Sequence, residues 1–178
     1  MFRSMEKSEF QLVYQIMKES FPESERRPME AQKKLLGEKD YHVAVCEQNG
    51  LLGGFLASWQ LKDFRFIEHF AVDPQLRNHG LGWRMLRTFL QADSAQTVLE
   101  VEPPQTELAK RRIQFYKRNG FYLNSYSYHQ PPMADGQKPI PLMIMSSGKA
   151  LNPQEFQCFR GEVYKKVYRV APNGLNPA

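Results

Sequence analysis

The amino-acid sequence predicts a single α/β domain. Three observations carry that expectation. Segments with helical and with strand periodicity alternate along the chain. A hydrophobic fraction of 42% supplies one real core, while 178 residues are too few for two comfortable domains. No internal repeat, low-complexity tract or convincing linker interrupts the pattern.

The elements follow in order. Met1 to Met5 is a candidate short strand. Ser8 to Gln11 fits a Ser-x-x-Gln capping box, and Glu9 to Ser20 then places Phe10, Val13, Tyr14 and Met17 on one helical face. Pro22 stops this helix, and Pro28 is placed to open a second, short one that ends before Gly37. Tyr41 to Glu47 alternates as a strand, Asn49-Gly50 is a two-residue hairpin turn, and Leu51 to Leu61 returns. Gly53-Gly54 within the return strand predicts a bulge or a close backbone approach. Phe64 to Val72 is a strongly apolar strand closed by Asp73-Pro74. A glycine-containing turn leads into a helix from Leu81 to Gln91 with Leu81, Met85, Leu86, Phe89 and Leu90 as its apolar stripe. Thr97 to Val101 is a buried strand. Glu107 to Arg118 is a helix capped by Asn119-Gly120. Phe121 to Tyr128 and Ile140 to Met145 form a last strand pair around a proline-rich connection, and a helix from about Pro153 to Tyr168 precedes a polar tail over 171–178.

Composition narrows the function. No apolar run approaches the ~20 residues that cross a bilayer, and Met1 to Glu9 lacks the apolar stretch of a secretory signal. Cys46 and Cys158 lie far apart without metal-ligand spacing, so both read as buried small hydrophobes or free thiols. A cytoplasmic protein without membrane or metal is the expectation. The net charge of +5 is spread over several segments rather than forming one basic stripe with interleaved aromatics, which argues against a nucleic-acid partner. Its densest cluster, Lys110-Arg111-Arg112 with Lys117-Arg118, is either a solvated helix face or an attractor for a polyanionic cofactor.

The chemistry-bearing signal is the passage from strand through Asp73-Pro74-Gln75-Leu76 to Arg77-x-x-Gly80-x-Gly82 and helix. A glycine pair at such a turn lets a bound anion approach the backbone, and the first helical amides, which have no intrahelical acceptor, point at it. Arg77 adds a planar, permanently charged fork suited to phosphate. Neither the G-x-G-x-x-G fingerprint nor a Walker lysine is present.

On three segments the sequence resembles the GNAT superfamily of acetyl-CoA-dependent N-acetyltransferases. Ile67-Glu68-His69-Phe70-Ala71-Val72-Asp73-Pro74 is similar to its central strand, Arg77-Asn78-His79-Gly80-Leu81-Gly82 to its R-x-x-G-x-G/A loop, and Phe115-Tyr116-Lys117-Arg118-Asn119-Gly120-Phe121 to its F/Y-Y-x-x-x-G-F segment. The resemblance runs from the first helix to the strand at Ile140. It implies a mixed, mostly antiparallel central sheet flanked by helices and splayed between the fourth and fifth strands, as one N-acetyltransferase domain over residues 1–170. It also implies acetyl-CoA as cosubstrate, its pantetheine arm along Phe70, Ala71 and Val72, and its pyrophosphate on the amides of Arg77, Asn78, His79, Gly80, Leu81 and Gly82. Direct attack of an amine on the thioester follows, with no covalent enzyme intermediate and no metal. Tyr116 matches the tyrosine that protonates the departing thiolate. Glu68 is the leading base; alone in an apolar strand, its pKa is expected to rise. Glu100 and Glu102 are runners-up, and His69 and His79 are read as structural or solvent-facing. The chain departs from the family at Ala109, where an asparagine is common, and at Arg112, where a small residue is usual.

The acceptor, an amine of a small molecule or a peptide, is not named by these motifs. The aromatic-rich segment Phe121 to Tyr128, with Gln130-Pro131-Pro132-Met133 after it, is a candidate acceptor wall or lid, and Tyr126 and Tyr128, like Trp59, either stack on a cation or pack. Two other classes stay open: a CoA-binding module without turnover, and a nucleic-acid-binding protein. The terminal helix could serve a homodimer interface.

Overall fold

A computed structural model describes residues 2–48 and 50–171. It divides into two compact units: the described residues of Met1–Gln60 with Ile67–Ser94, and those of Leu61–Phe66 with Ala95–Ala178. The expected fold class holds: among the described residues seven strands, mostly antiparallel, are accompanied by helices. Among the described residues no helix is long and apolar enough to cross a membrane.

The first unit contains β1 (Phe2–Ser4), α1 (Phe10–Ser20), α2 (Met29–Lys34), β2 (Tyr41–Gln48), β3 (Leu51–Gln60), most of β4 (Phe64–Val72) and α3 (Leu81–Gln91). Its strands lie in the order β1-β2-β3-β4. α1 buries Phe10, Val13, Tyr14, Ile16 and Met17, the face that its spacing predicts. Its start differs from the expectation. The capping box is formed by Glu6 and Glu9 around a 3-10 turn, Lys7–Glu9, and not by Ser8 and Gln11. Arg3 binds Glu9 at 2.7 Å and also Glu47, so Glu9 is fixed from outside the helix and the turn closes early. Gly50 of the β2–β3 hairpin has φ +76°; the expected partner Asn49, like 172–178 of the polar tail, lies outside the described residues.

Gly53 and Gly54 show both features expected of them. Pairing steps from Cys46↔Gly54 to Glu47↔Leu52, a bulge that leaves Gly53 unpaired. A Cβ on Gly54 would lie 2.7 Å from the Ala71 carbonyl oxygen, and one on Gly53 2.9 Å from Leu81. The absence of two side chains therefore brings the end of β4 and the start of α3 against β3. Cys46, Leu81 and Met85 form the small core beneath, with Phe70, Val72 and Leu76 packed on it.

The second unit contains β5 (Gln96–Val101), α4 (Glu107–Arg118), β6 (Phe121–Gln130), β7 (Ile140–Ser147) and α5 (Pro153–Val163), which continues as a π-turn through Tyr168. Its strands lie in the order β5-β7-β6, antiparallel throughout. Thr106 caps α4 through Ala109 N–H, and Gly120 ends it with φ +81°. An Asn152–Glu155 capping box opens α5, whose Phe156 and Phe159 enter the core; Phe159 meets Phe64 and Phe66 edge-on, with ring centroids 5.8 Å apart. Cys46 is buried and Cys158 exposed, both as free thiols.

Candidate functional site

Contacts within the chain shape the loop from Asp73 to Gly80. Asp73 accepts from Gln75 N–H at 2.8 Å and closes a single 3-10 turn, Pro74–Leu76. Asn78 and Gly80 then both take left-handed backbone, with φ +68° and +73°. That conformation costs an L-residue about 1–2 kcal/mol, which explains glycine at 80. Gly80 caps α3 without a side-chain bond, and the first intrahelical bond runs from Arg84 N–H to Gly80 C=O at 3.1 Å. Among the described residues, no protein acceptor meets the main-chain N–H groups of residues 77–83. Open space surrounds the place where a Gly80 side chain would stand. Amides without a protein acceptor among the described residues, at the positive end of an eleven-residue helix, fit a diphosphate in charge and in donor number.

Arg77 has a second task beside the expected phosphate fork. Its Nε donates to the Val72 carbonyl at 3.0 Å and its Nη2 to Ser20 Oγ at 3.3 Å, tying the loop to the end of β4 and to α1. His79 is exposed, as expected. Phe70 and Val72 are half-buried and Ala71 is buried.

Glu68 stands differently from the expectation. Its side chain is closed off from solvent (0% exposed), and both oxygens are engaged: Arg27 Nη1 donates to Oε1 at 2.5 Å and Trp59 Nε1 to Oε2 at 3.0 Å. Burial pushes its pKa upward, but the Arg27 guanidinium opposes this and the balance falls below the ordinary carboxylate value. The expected rise is therefore corrected to a fall, because a buried arginine was not foreseen. His69 Nδ1 reaches within 3.8 Å of Glu68 Oε2. Its Nε2 lies 2.8 Å from the Glu25 carbonyl, Phe21 packs edge-on against its ring, and Nδ1 is buried without a hydrogen-bond partner. Burial lowers its pKa despite the nearby carboxylate, so we take His69 as neutral with the proton on Nε2. Arg27, and not His69, then holds Glu68 anionic.

Tyr116 belongs to the second unit. It lies in the last turn of α4, half-buried, with ring centroids 5.3 Å from Phe115 and 5.5 Å from Phe121. Its hydroxyl has no hydrogen-bond partner among the described residues. Burial pushes its pKa up to about 12, and Arg112 pulls the other way. Arg112 itself pairs with Glu102 at 2.5 Å. Ala109 is buried against the core of this unit, so the position where an asparagine is common serves packing. Glu100 is saturated by Tyr128 and by Tyr168, whose hydroxyl donates at 2.7 Å. Of the aromatics expected near an acceptor, Tyr126 stacks on Phe156 at 4.2 Å, and Tyr128 and Trp59 are buried and hydrogen-bonded. Packing is their role.

Comparison with known proteins decides the family. The acetyltransferase (GNAT) domain model matches residues 39–123, which span both the Arg77–Gly82 loop and Tyr116. A solved chain from Bacteroides thetaiotaomicron, assigned to the GNAT family as an acetyltransferase, is 33% identical over 96% of this chain and 99% of its own, with a TM-score of 0.87. The chain belongs to the GNAT family. A curated GNAT-type relative, the L-2,4-diaminobutyric acid acetyltransferase of Vibrio parahaemolyticus, is 35% identical over 66 residues. That match covers 35% of this chain and only 36% of the relative's length. The ribosomal-protein-S18-alanine N-acetyltransferase of Escherichia coli shares the fold, with 20% identity over 86% of this chain and 96% of its own and a TM-score of 0.64. Among the described residues, no group of three or more His, Cys, Asp or Glu is placed to hold a metal.

Arg27 and Arg26 were missed from the sequence, and Trp59 was left undecided. One signal could have found Arg27. A carboxylate on a strand as apolar as Phe64–Val72 calls for a cation beside it, and Arg65 of the same strand is set an odd number of positions away, on the alternate face.

Proposed function

We propose that this GNAT protein transfers the acetyl group of acetyl-CoA to a primary amine of a small molecule or peptide, by direct attack within a ternary complex. The observation that carries this reading is the row of amides from residue 77 to 83 that find no acceptor among the described residues, opened by left-handed Gly80. Those amides, with Arg77, Asn78, His79, Leu81 and Gly82, would hold the pyrophosphate, and Phe70, Ala71 and Val72 would run beside the pantetheine. Residues 1–170 would act as one N-acetyltransferase domain.

The amine lone pair attacks the thioester carbon, the C–S bond breaks, and the sulfur departs with the electron pair. Tyr116 is the proposed donor to that sulfur. With a phenol pKa of about 12 against roughly 8.5 for a thiol, complete proton transfer runs uphill by about 5 kcal/mol. Tyr116 therefore acts first as a hydrogen-bond donor to the developing thiolate, and the same raised value keeps it protonated at neutral pH. Glu68, expected as the base, has both oxygens occupied and a lowered proton affinity. It receives the amine's proton only by way of water and only as Arg27 yields; its standing role in this reading is to keep Arg27 in place.

Isothermal calorimetry with CoA and acetyl-CoA, followed by thiol release over an amine panel, tests the proposal. Binding together with acceptor-dependent thiol release is the expected result. No heat with either CoA species overturns it. Buried Ala109 favours a second reading, a CoA-binding module, and tight binding with no thiol release from any amine would select that one.

A further inference from the structure

Among the described residues, one cation beside β4 has no carboxylate partner. Residues 20–28 run along this strand: Arg77 reaches Ser20 Oγ at 3.3 Å, His69 meets the Glu25 carbonyl at 2.8 Å, and Arg27 binds Glu68 at 2.5 Å. Arg26 sits in that segment, half-buried. Its Nη1 donates to the Tyr14 hydroxyl at 3.3 Å, and that hydroxyl in turn donates to the Arg27 carbonyl at 2.9 Å. Its Nε is buried without a hydrogen-bond partner, and among the described residues no carboxylate lies within 4.0 Å of its guanidinium. The neighbouring Arg27, more deeply buried, is neutralised by Glu68. The contrast between the two arginines is the informative observation.

A guanidinium partly removed from water and left unneutralised is destabilising, and such a group is retained where a ligand brings the anion. The unused edge of Arg26, Nε with Nη2, is the edge that gives a carboxylate or phosphate two parallel N–H bonds. We propose that Arg26 anchors an anionic group on the acceptor, so that the substrate is an amine that also carries a carboxylate or a phosphate, and not a simple polyamine. This rests on the acetyl-transfer reading above. Arg26 is then a specificity-determining residue held in position by Tyr14 and by the Arg27–Glu68 pair.

Matched acceptors test this: lysine against cadaverine, ornithine against putrescine, and phosphoethanolamine against ethanolamine. The first two pairs report a carboxylate and the third a phosphate. The wild-type protein should favour the anionic member of at least one pair. Arg26→Gln should raise KM for that member by about 10- to 100-fold, leave its uncharged counterpart unchanged, and be partly rescued by Arg26→Lys. Thermal unfolding without acceptor should give Arg26→Gln an equal or higher Tm, since an uncompensated charge is removed. A Tm several degrees lower makes Arg26 a packing residue and overturns the proposal. Equal preference within every pair, or a weaker CoA affinity in Arg26→Gln, overturns it as well. Absence of CoA binding by the wild type instead sinks the acetyl-transfer reading itself.

Discussion

At the scale of single residues, the two groups proposed for the chemistry stand in opposite electrostatic states. Tyr116 is a neutral phenol whose hydroxyl has no hydrogen-bond partner among the described residues, and Glu68 is an anion with neither oxygen free. Tyr116→Phe deletes one hydroxyl and keeps the ring contacts with Phe115 and Phe121. It should lower kcat by about 10²-fold while the CoA dissociation constant stays within about twofold, as stopped-flow turnover and calorimetry would show. For Glu68, the buried pair with Arg27 predicts a non-additive double mutant. Glu68→Gln or Arg27→Met alone leaves an unneutralised buried charge and should cost about 3–5 kcal/mol in urea unfolding. The double substitution should recover much of that loss, because breaking a buried pair is worse than removing it. The place of Tyr116 in the last turn of α4 was legible in the sequence because its register is fixed by Gly120-Phe121 immediately after it. The state of Glu68 was not. Its partner lies 41 positions away, and no local pattern reports how the chain returns to it.

At the scale of elements, glycines at 54 and 80 shape the same region for different physical reasons, and substitutions should separate them. Gly54→Ala puts a Cβ 2.7 Å from the Ala71 carbonyl oxygen, so β4 or β3 must shift. The expected cost is about 1–3 kcal/mol of stability, with CoA binding weakened only as far as the end of β4 moves. Gly80→Ala meets no neighbour within 4 Å, but its backbone has φ +73°. Stability should fall by about 1 kcal/mol, and CoA affinity should fall more steeply as the amide row leaves its geometry. Gly80→Asp adds negative charge at the phosphate position and should abolish measurable binding in calorimetry, while the protein still unfolds cooperatively. Helix α3 and this loop were readable because the apolar stripe and the need for positive φ are both local properties. The start of α1 was misread because two capping boxes compete there. Ser8–Gln11 has the better residues, but Arg3 holds Glu9 from outside the helix and the Glu6–Glu9 box forms.

At the scale of the whole molecule, the ionisable groups that folding perturbs predict a two-step loss of stability in acid. His69 is buried with its pKa lowered from 6.5, chiefly by desolvation. Below that value the unfolded chain binds a proton that the folded protein refuses, so stability declines as pH falls from 6.5. The second step comes from carboxylates with lowered pKa. The side-chain hydrogen bond from Arg3 and the backbone bond from Glu6 hold Glu9 at about 2, and Glu68 and Glu155 are also below 4.5. Their stabilisation is complete above 4.5 and is lost as pH falls from there toward 2, because each must take up a proton that the unfolded state accepts more readily. The net charge of +5 grows as the carboxylates protonate, and self-repulsion steepens this second step. Urea midpoints measured across the acid range should therefore fall gently below pH 6.5 and sharply below pH 4.5. His69→Gln should flatten the first step and leave the second in place. A wild-type midpoint that holds constant down to pH 4.5 would show that His69 accepts its proton inside the fold as readily as outside, which its buried Nδ1, with no hydrogen-bond partner, argues against.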